Sequence, residues 1–311
     1  MTAKPLFSRT LRGSVTSVGE EALIRSIRRW IGAASPRPPA GIGDDCAVIR
    51  PARGRGLLTV DPLIHGVHFD GRVSPRAAGA KLLKRNLSDI AAMGGRPCAA
   101  VVALALDGRV SLAWLAEFYK GLARESRRHR VPIVGGDVAR LSGSFVATLA
   151  LAGEASGRIL TRRGSRAGDW IYVTGSLGRS LATGHHYLFE PRLAEGAWLA
   201  RRGEVRAMMD VSDGLAKDLD ALTPRGAAPA LFGAMLPLRD GASVREAMCD
   251  GEDYELVFSA ASGARRAALE KAWQRAFPRT RLTCIGRFVR SGAVPPDALK
   301  MGDYRGYEHL R

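Results

Sequence analysis

The chain has 311 residues, enough for two domains of roughly 100–200 residues each and for a core that needs no disulfide or structural metal. Hydrophobic residues make up 46% and charged residues 25%, which excludes a disordered chain, a collagen-like fibre and a disulfide scaffold. The net charge is +17, but the basic residues are mostly scattered Arg, and aromatics are 6% of the chain. That pattern reads as an Arg-biased solvated surface, without the basic–aromatic platform of a single-strand binder, so no nucleic-acid partner is expected.

The first nineteen residues carry Lys4, Arg9 and Arg12 and lack the apolar core of a secretory signal. They read as a floppy N-terminal tail over residues 1–18. Leu23, Ile24, Ile27, Trp30 and Ile31 predict an amphipathic helix over Glu20–Ile31, and Ser35–Ala40 is a Pro-rich break. Strands are predicted at Ala47–Ile49, Gly56–Val60, Ala99–Leu106, Val131–Val134 and Ser144–Ala152, with helices at Pro75–Met93 and Ser111–Arg130. The longest apolar run, Pro97–Leu106, is far too short to span a membrane. A domain boundary falls in Gly153–Gly168, dividing a first domain over residues 19–155 from a second over 156–311. The second domain should hold strands at Trp170–Thr174, Val205–Met209, Glu255–Ser259 and Leu282–Phe288, and helices at Ser176–Leu188, Gly214–Leu222 and Ser262–Ala276. Strands mixed with helices in this order indicate α/β and α+β architecture. Cys46, Cys98, Cys249 and Cys284 form no Cys-x-x-Cys pair, consistent with free thiols in a reducing, cytoplasmic setting.

The chemistry-bearing pattern is a series of carboxylates placed after apolar strands and beside Gly. It comprises Asp44 and Asp45 in Gly-Ile-Gly-Asp-Asp, Asp61 after Leu-Leu-Thr-Val, Asp89 in Asn-Leu-Ser-Asp, Asp137 after Val-Gly-Gly, and Asp210 and Asp213 in Asp-Val-Ser-Asp-Gly. Carboxylates crowded on one rim repel unless a cation joins them, and an all-oxygen set points to Mg²⁺ rather than zinc. Adjacent glycines allow backbone to approach a phosphate. Each motif alone is equally well a turn, and Asp210 or Ser212 alone could be a helix N-cap; the repetition favours a nucleotide site with several Mg²⁺ ions. No Walker loop and no protein-kinase motif set is present.

Gly41–Ile49, Thr59–Phe69, Asn86–Gly95, Gly135–Asp137, Leu160–Gly164, Asp210–Leu215 and Gly251–Leu256 together resemble the thiamine-monophosphate kinase family, in that family's order and over nearly the whole chain. The resemblance implies an aminoimidazole-ribonucleotide synthetase-like fold in two domains. The N-terminal sheet domain would dimerise, giving a homodimer, and the C-terminal α+β domain would cover the nucleotide cleft. It implies transfer of a phosphoryl group from ATP to thiamine phosphate, giving ADP and thiamine diphosphate, with several Mg²⁺ ions. By position, Asp45, Asp61, Asp89, Asp137 and Asp210 would be Mg²⁺ ligands, with Thr59 assisting, Val60 offering a backbone carbonyl and Asp213 taking a further ion. Gly136, Asp137, Arg162 and Ser212 would hold ATP, and His68, Glu252 and Tyr307 would contact thiamine phosphate. Asp44 would partner Asp45.

The residues themselves show no convincing nucleophile–base pair. None is required, since a phosphomonoester with a second pKa of about 6 is mostly dianionic at neutral pH. Direct in-line transfer with electrostatic catalysis is therefore expected. Two other readings are a sister activity in the same superfamily and a non-catalytic, basic nucleotide- or RNA-binding protein. The acidic series argues against the second, because those carboxylates would repel a nucleic-acid backbone.

Overall fold

The computed structural model describes residues 4–18, 20–37, 40, 42, 55–155, 157–263 and 266–308. The predicted strand Ala47–Ile49, Asp44, Asp45 and Cys46 lie outside them. The chain divides into two compact units, one formed by Met1–Leu87 with Pro97–Glu154, the other by Ser88–Arg96 with Ala155–Arg311. The units divide at 154/155, and residues 88–96 group with the second.

The first unit is built on a four-stranded sheet of β1 (Gly56–Ile64), β2 (Gly95–Leu106), β3 (Ile133–Arg140) and β4 (Phe145–Ala155), in the order β1-β4-β2-β3. Strand β1 runs antiparallel to β4, and β2 parallel to β3, the latter crossover being made by helix α3 (Leu112–His129). Ser111 caps α3 by accepting from the Trp114 N–H, and Arg130 ends it in a left-handed conformation. Helix α1 covers Glu20–Ile31 as the periodicity predicts, and α2 covers Pro75–Ala92. Phe69, Trp114, Phe118 and Phe145 pack ring against ring in the core, Trp114 stacking on Phe118 at 5.4 Å.

Strands run further than expected, and β1 and β3 do so through candidate ligands. Strand β1 continues through Asp61 and Pro62 to Ile64, paired with β4 as far as Val146; a Pro is tolerated on a strand that is an edge among the described residues. Strand β3 continues through Gly-Gly-Asp to Arg140, paired with β2. Asp61 and Asp137 are therefore inside strands rather than after them. The N-terminal tail is not floppy over residues 4–18. Its backbone bonds to the turn before α3, through Val15 N–H to Val110 O at 2.9 Å and Ser111 N–H to Leu6 O at 2.7 Å, and Leu6 and Val15 are buried.

Helices α2 and α3 approach closely. A methyl on Gly79 would lie 1.9 Å from the Phe118 carbonyl oxygen, and one on Gly121 2.0 Å from that of Arg76. Gly79→Ala is expected to destabilise the protein by about 1–3 kcal/mol, read as a lower urea midpoint at unchanged m-value.

The second unit holds an antiparallel sheet of β5 (Trp170–Thr174), β6 (Val205–Asp210), β7 (Ala227–Leu231), β8 (Leu256–Ala260) and β9 (Leu282–Arg290), ordered β6-β8-β5-β9-β7. Both faces are covered. Ile171, Val173 and Val257 join a core with α6 (Leu215–Leu222) and α7 (Val244–Cys249). The alternate residues Tyr172, Leu256 and Phe258 join another with α5 (Leu193–Leu199) and α8 (Arg266–Ala276). The helix predicted over Ser176–Leu188 shrinks to α4 (His185–Leu188). Gly178 and Arg179 give their N–H groups to the carboxylates of Asp253 and Asp250, so these N–H groups are taken by side chains. Strand β7 and helices α5 and α7 were not anticipated; they are short, at five to seven residues, below the length at which periodicity is legible.

Candidate functional site

In the first unit, strand alternation sorts the candidate ligands. Thr59 and Asp61 lie opposite Leu151 and Leu149, both fully buried, and so share the core face of the sheet. Asp61 is met there by Arg85 of α2, whose guanidinium lies 3.7 Å from its carboxylate and donates to the Pro62 carbonyl at 2.6 Å. Val60 points to the opposite, open face and is 60% exposed. Asp137 pairs in register with Ala103, also on the open face. Among the described residues, strands β1 and β3 are the two edges of this sheet, three strand spacings or roughly 14 Å apart. Asp61 and Asp137 thus sit on opposite edges and opposite faces, and a single copy of the sheet does not bring them to one ion.

Gly136 has a packing reason for being glycine, since a methyl there would lie 2.0 Å from the Val102 carbonyl oxygen. An apolar cleft lined by Ile24, Ile27, Tyr119 and Ile133 opens beside Gly135, Gly136 and Asp137. His68 is buried; its Nδ1 accepts the Ile64 N–H at 3.1 Å, which leaves the ring proton on Nε2 in the neutral form. Its carbonyl accepts from the buried Lys81 ammonium at 2.7 Å.

The second unit gathers more. Asp210 ends β6, is buried, and accepts the Ser88 hydroxyl at 2.6 Å, so the last turns of α2 that carry Ser88 and Asp89 meet Asp210 directly. Beyond it the chain turns through Val211–Gly214 into α6. Neither Asp210 nor Ser212 caps that helix, whose N-cap is Gly214. Instead Asp218, in its first turn, accepts the N–H groups of Ser212 and Asp213 at 2.9 and 3.0 Å. Burial and the neighbouring Asp210 charge push the Asp218 carboxyl up to about 7, despite those two bonds. Asp213 pairs with Lys217 at 2.7 Å, and the same ammonium reaches the Tyr307 carbonyl at 2.7 Å. The Tyr307 N–H donates to the Asp213 carbonyl at 2.8 Å, while Tyr307 is 47% exposed, so it is not a core residue. Arg162 is exposed on the loop whose Thr161 carbonyl accepts from Met208 of β6.

Glu252 lies on the loop Gly251–Glu255, bonded to the Asp210 turn through Glu252 N–H to Ser212 O at 2.7 Å and Tyr254 N–H to Val211 O at 2.8 Å. Glu252 and Tyr254 both have left-handed backbone, at φ +52° and +51°. Such residues cost about 1–3 kcal/mol each and persist where the surroundings fix them. Here Asp253 is paired with Arg239 at 2.8 Å and Glu255 with Arg192 at 2.5 Å, both carboxylates buried.

Among the described residues, no group of three or more His, Cys, Asp or Glu side chains is close enough to hold a metal ion alone. Mg²⁺ does not ask for such a cage, because it keeps waters and takes one or two carboxylates plus phosphate oxygens. The buried like-charged pair Asp210 and Asp218 is the observation that fits a cation, whose charge would relieve the repulsion that raises Asp218.

The AIR synthase related protein, N-terminal domain family matches residues 43–159. Thiamine-monophosphate kinase of Salmonella typhimurium is 34% identical, over 94% of this chain and 98% of its own. The chain belongs to the thiamine-monophosphate kinase family. Among solved structures, the thiamine-monophosphate kinase of Stenotrophomonas maltophilia K279a is 30% identical at a TM-score of 0.71, covering 88% of this chain and 95% of that one. AaThiL complexed with AMPPCP and TMP is 27% identical at a TM-score of 0.68, covering 97% of this chain and all of that one. The aminoimidazole-ribonucleotide synthetase-like fold is thereby established. In this kinase, sequence reasoning passed over Ser88, Asp218, Arg85 and His186. Ser88 and Asp218 had a usable signal, being a neighbour of Asp89 and an acidic residue one helical turn past Asp-Val-Ser-Asp-Gly.

Proposed function

We infer that this chain transfers the γ-phosphoryl group of ATP to thiamine phosphate, yielding ADP and thiamine diphosphate. The carrying observation is the match, over almost its full length, to kinases of that name. The acidic turn at Asp210–Asp213, buttressed by Ser88 and Asp218, is what such a reaction asks of a protein.

The acceptor is a phosphate oxygen, already dianionic near neutral pH, so no side chain need remove a proton. The barrier is the approach of two polyanions. Mg²⁺, when bound, offsets that charge and aligns donor with acceptor. We assign its holding to Asp45, Asp61, Asp89, Asp137 and Asp210, with Thr59, the Val60 carbonyl and Asp213. Gly136, Asp137, Arg162 and Ser212 would hold ATP, with the Arg162 guanidinium on phosphate. His68, Glu252 and Tyr307 would contact thiamine phosphate; the buried His68 would do so through its Nε2–H edge, and the exposed Tyr307 ring by stacking or cation–π contact.

A homodimer completes this reading. The open face of the first sheet carries Leu58 at 80% and Val60 at 60% exposure, with Val101 and Ala103 further across it. Apolar residues in that number on one sheet face suit a second copy of the chain. Packing through that face would present Asp137 of one protomer to its partner, while Asp61 stays on the core face of its own sheet. Among the described residues no helix is long and apolar enough to cross a membrane, and we place the enzyme in the cytoplasm.

The test is product analysis from MgATP and thiamine phosphate. Equimolar ADP and thiamine diphosphate, abolished by EDTA and not formed from free thiamine, is the expected result. ATP binding without transfer would point to a sister activity in the superfamily.

A further inference from the structure

We propose that His186 and Tyr254 are positioning residues that hold the Glu252 carboxylate, and through it set the affinity for the phosphate acceptor. The inference rests on the reading of Glu252 as an acceptor contact. Both oxygens of Glu252 are gripped: the Tyr254 hydroxyl donates to Oε1 at 3.2 Å, and His186 Nδ1 lies 3.4 Å from Oε2. Both grips come from buried rings. Tyr254 is stacked on Phe189 at 4.0 Å with the planes 21° apart, and His185 Nε2 lies 2.9 Å from the Asp253 carbonyl. The short segment His185–Phe189 thus touches three consecutive residues of the loop, 252 to 254.

The arrangement singles out Glu252. Within Gly251–Glu255 every other residue is buried, and the acidic neighbours Asp253 and Glu255 turn inward to Arg239 and Arg192. Glu252 alone in that run keeps its carboxylate partly open to solvent, 19% exposed, on a backbone that its surroundings hold left-handed. A carboxylate fixed in direction by two rings is suited to a cationic aromatic acceptor, whose charge it would meet without reorganising. Such a contact acts on binding of the acceptor and is remote in kind from the charge developed in phosphoryl transfer.

The test compares Tyr254→Phe, His186→Gln and Glu252→Gln, with the double variant Tyr254→Phe/Glu252→Gln. Tyr254→Phe keeps the stack on Phe189 and removes one hydroxyl. It is expected to raise KM for thiamine phosphate roughly 5–20-fold, around the lower end of the effect of losing a hydrogen bond to a charged group, and His186→Gln is expected to do the same. Turnover and KM for MgATP should move less than about twofold, a split that a general loosening of the fold would not produce. The double variant should bind no more weakly than Glu252→Gln alone, since the hydroxyl acts through the carboxylate. An unchanged KM in Tyr254→Phe, or effects that multiply in the double variant, would overturn the positioning role while leaving Glu252 as a contact. An unchanged KM in Glu252→Gln would overturn the contact itself, and the inference with it. Should His186→Gln fail to fold, Tyr254→Phe and the cycle still decide.

Discussion

Replacing Asp210 by Asn is expected to lower turnover at least ~100-fold and to leave the fold intact. The two side chains have the same shape, and the Asn carbonyl oxygen can still accept the Ser88 hydroxyl that now bonds Asp210 at 2.6 Å. What disappears is one negative charge at the end of β6. In phosphoryl transfer the protein contributes mainly placement and electrostatics, and loss of one preorganised element of that kind costs about two to three orders of magnitude. Stability should respond in the opposite sense. Asp210 raises its buried neighbour Asp218 by repulsion, so the neutral variant is expected to melt no lower than the parent without divalent cation. Steady-state kinetics and thermal melts, run side by side, check both halves. Turnover within tenfold of the parent would remove Asp210 from the reaction. Asp89→Asn and Asp137→Asn should behave alike in kinetics.

Without divalent cation, stability falls as the pH rises from about 4 to about 7. Asp218 is the larger cause, its carboxyl being raised from the ordinary carboxylate range to about 7, by burial first and by Asp210 second, and burial of Asp253, raised to about 6, adds to it. In the unfolded chain this group loses its proton near pH 4. The folded protein keeps that proton until about 7, so across the interval the native state binds the extra proton and the linkage slope is negative. The contribution is complete below pH 4, lost through the window, and flat above it. For a group that is 4% exposed the effect is on the order of a few kcal/mol. Asp218→Asn, which keeps an acceptor for the Ser212 and Asp213 N–H groups, should make the profile shallower and leave the smaller contribution of Asp253. Added Mg²⁺ should raise the melting temperature more at pH 8 than at pH 5. A flat profile in the parent protein would mean that Asp218 is not the buried acid described.

Most of the long elements, and the mixed α/β and α+β class, can be read from residue periodicity, while the identity of the fold comes from the family resemblance. Helix α1 follows from five apolar residues at helical spacing, and α3 from its Ser111 start and apolar stripe. What the periodicity hides is the dependence of local structure on distant partners. Strand β1 extends past Val60 because β4 supplies nine paired residues, which nothing near Asp-Pro announces. The Ser176–Gly184 segment has the composition of a helix start but gives N–H groups to Asp250 and Asp253, some seventy positions on. The candidate ligands are visible as Asp beside Gly, yet their faces are not. That Asp61 turns to the core face and Asp137 to the open one depends on register across the sheet. Ser88 and Asp218 stand beside motif residues and could have been noticed there, whereas His186, which meets Glu252, emerges from packing alone.

Residues 88–96 belong to the second unit although they precede most of the first unit's sheet in the chain. The bond from Ser88 to Asp210 spans 122 positions, and the Ala91 carbonyl abuts Gly196 so closely that a methyl there would come within 2.0 Å of it. A nascent chain therefore makes one wall of its second unit early and must hold it unsatisfied until Asp210 has been synthesised, a long closure of the kind that slows folding. For the same reason a fragment beginning at residue 155 carries the whole five-stranded sheet and still lacks a piece of its own core. Cutting the gene at the obvious linker therefore yields an incomplete body.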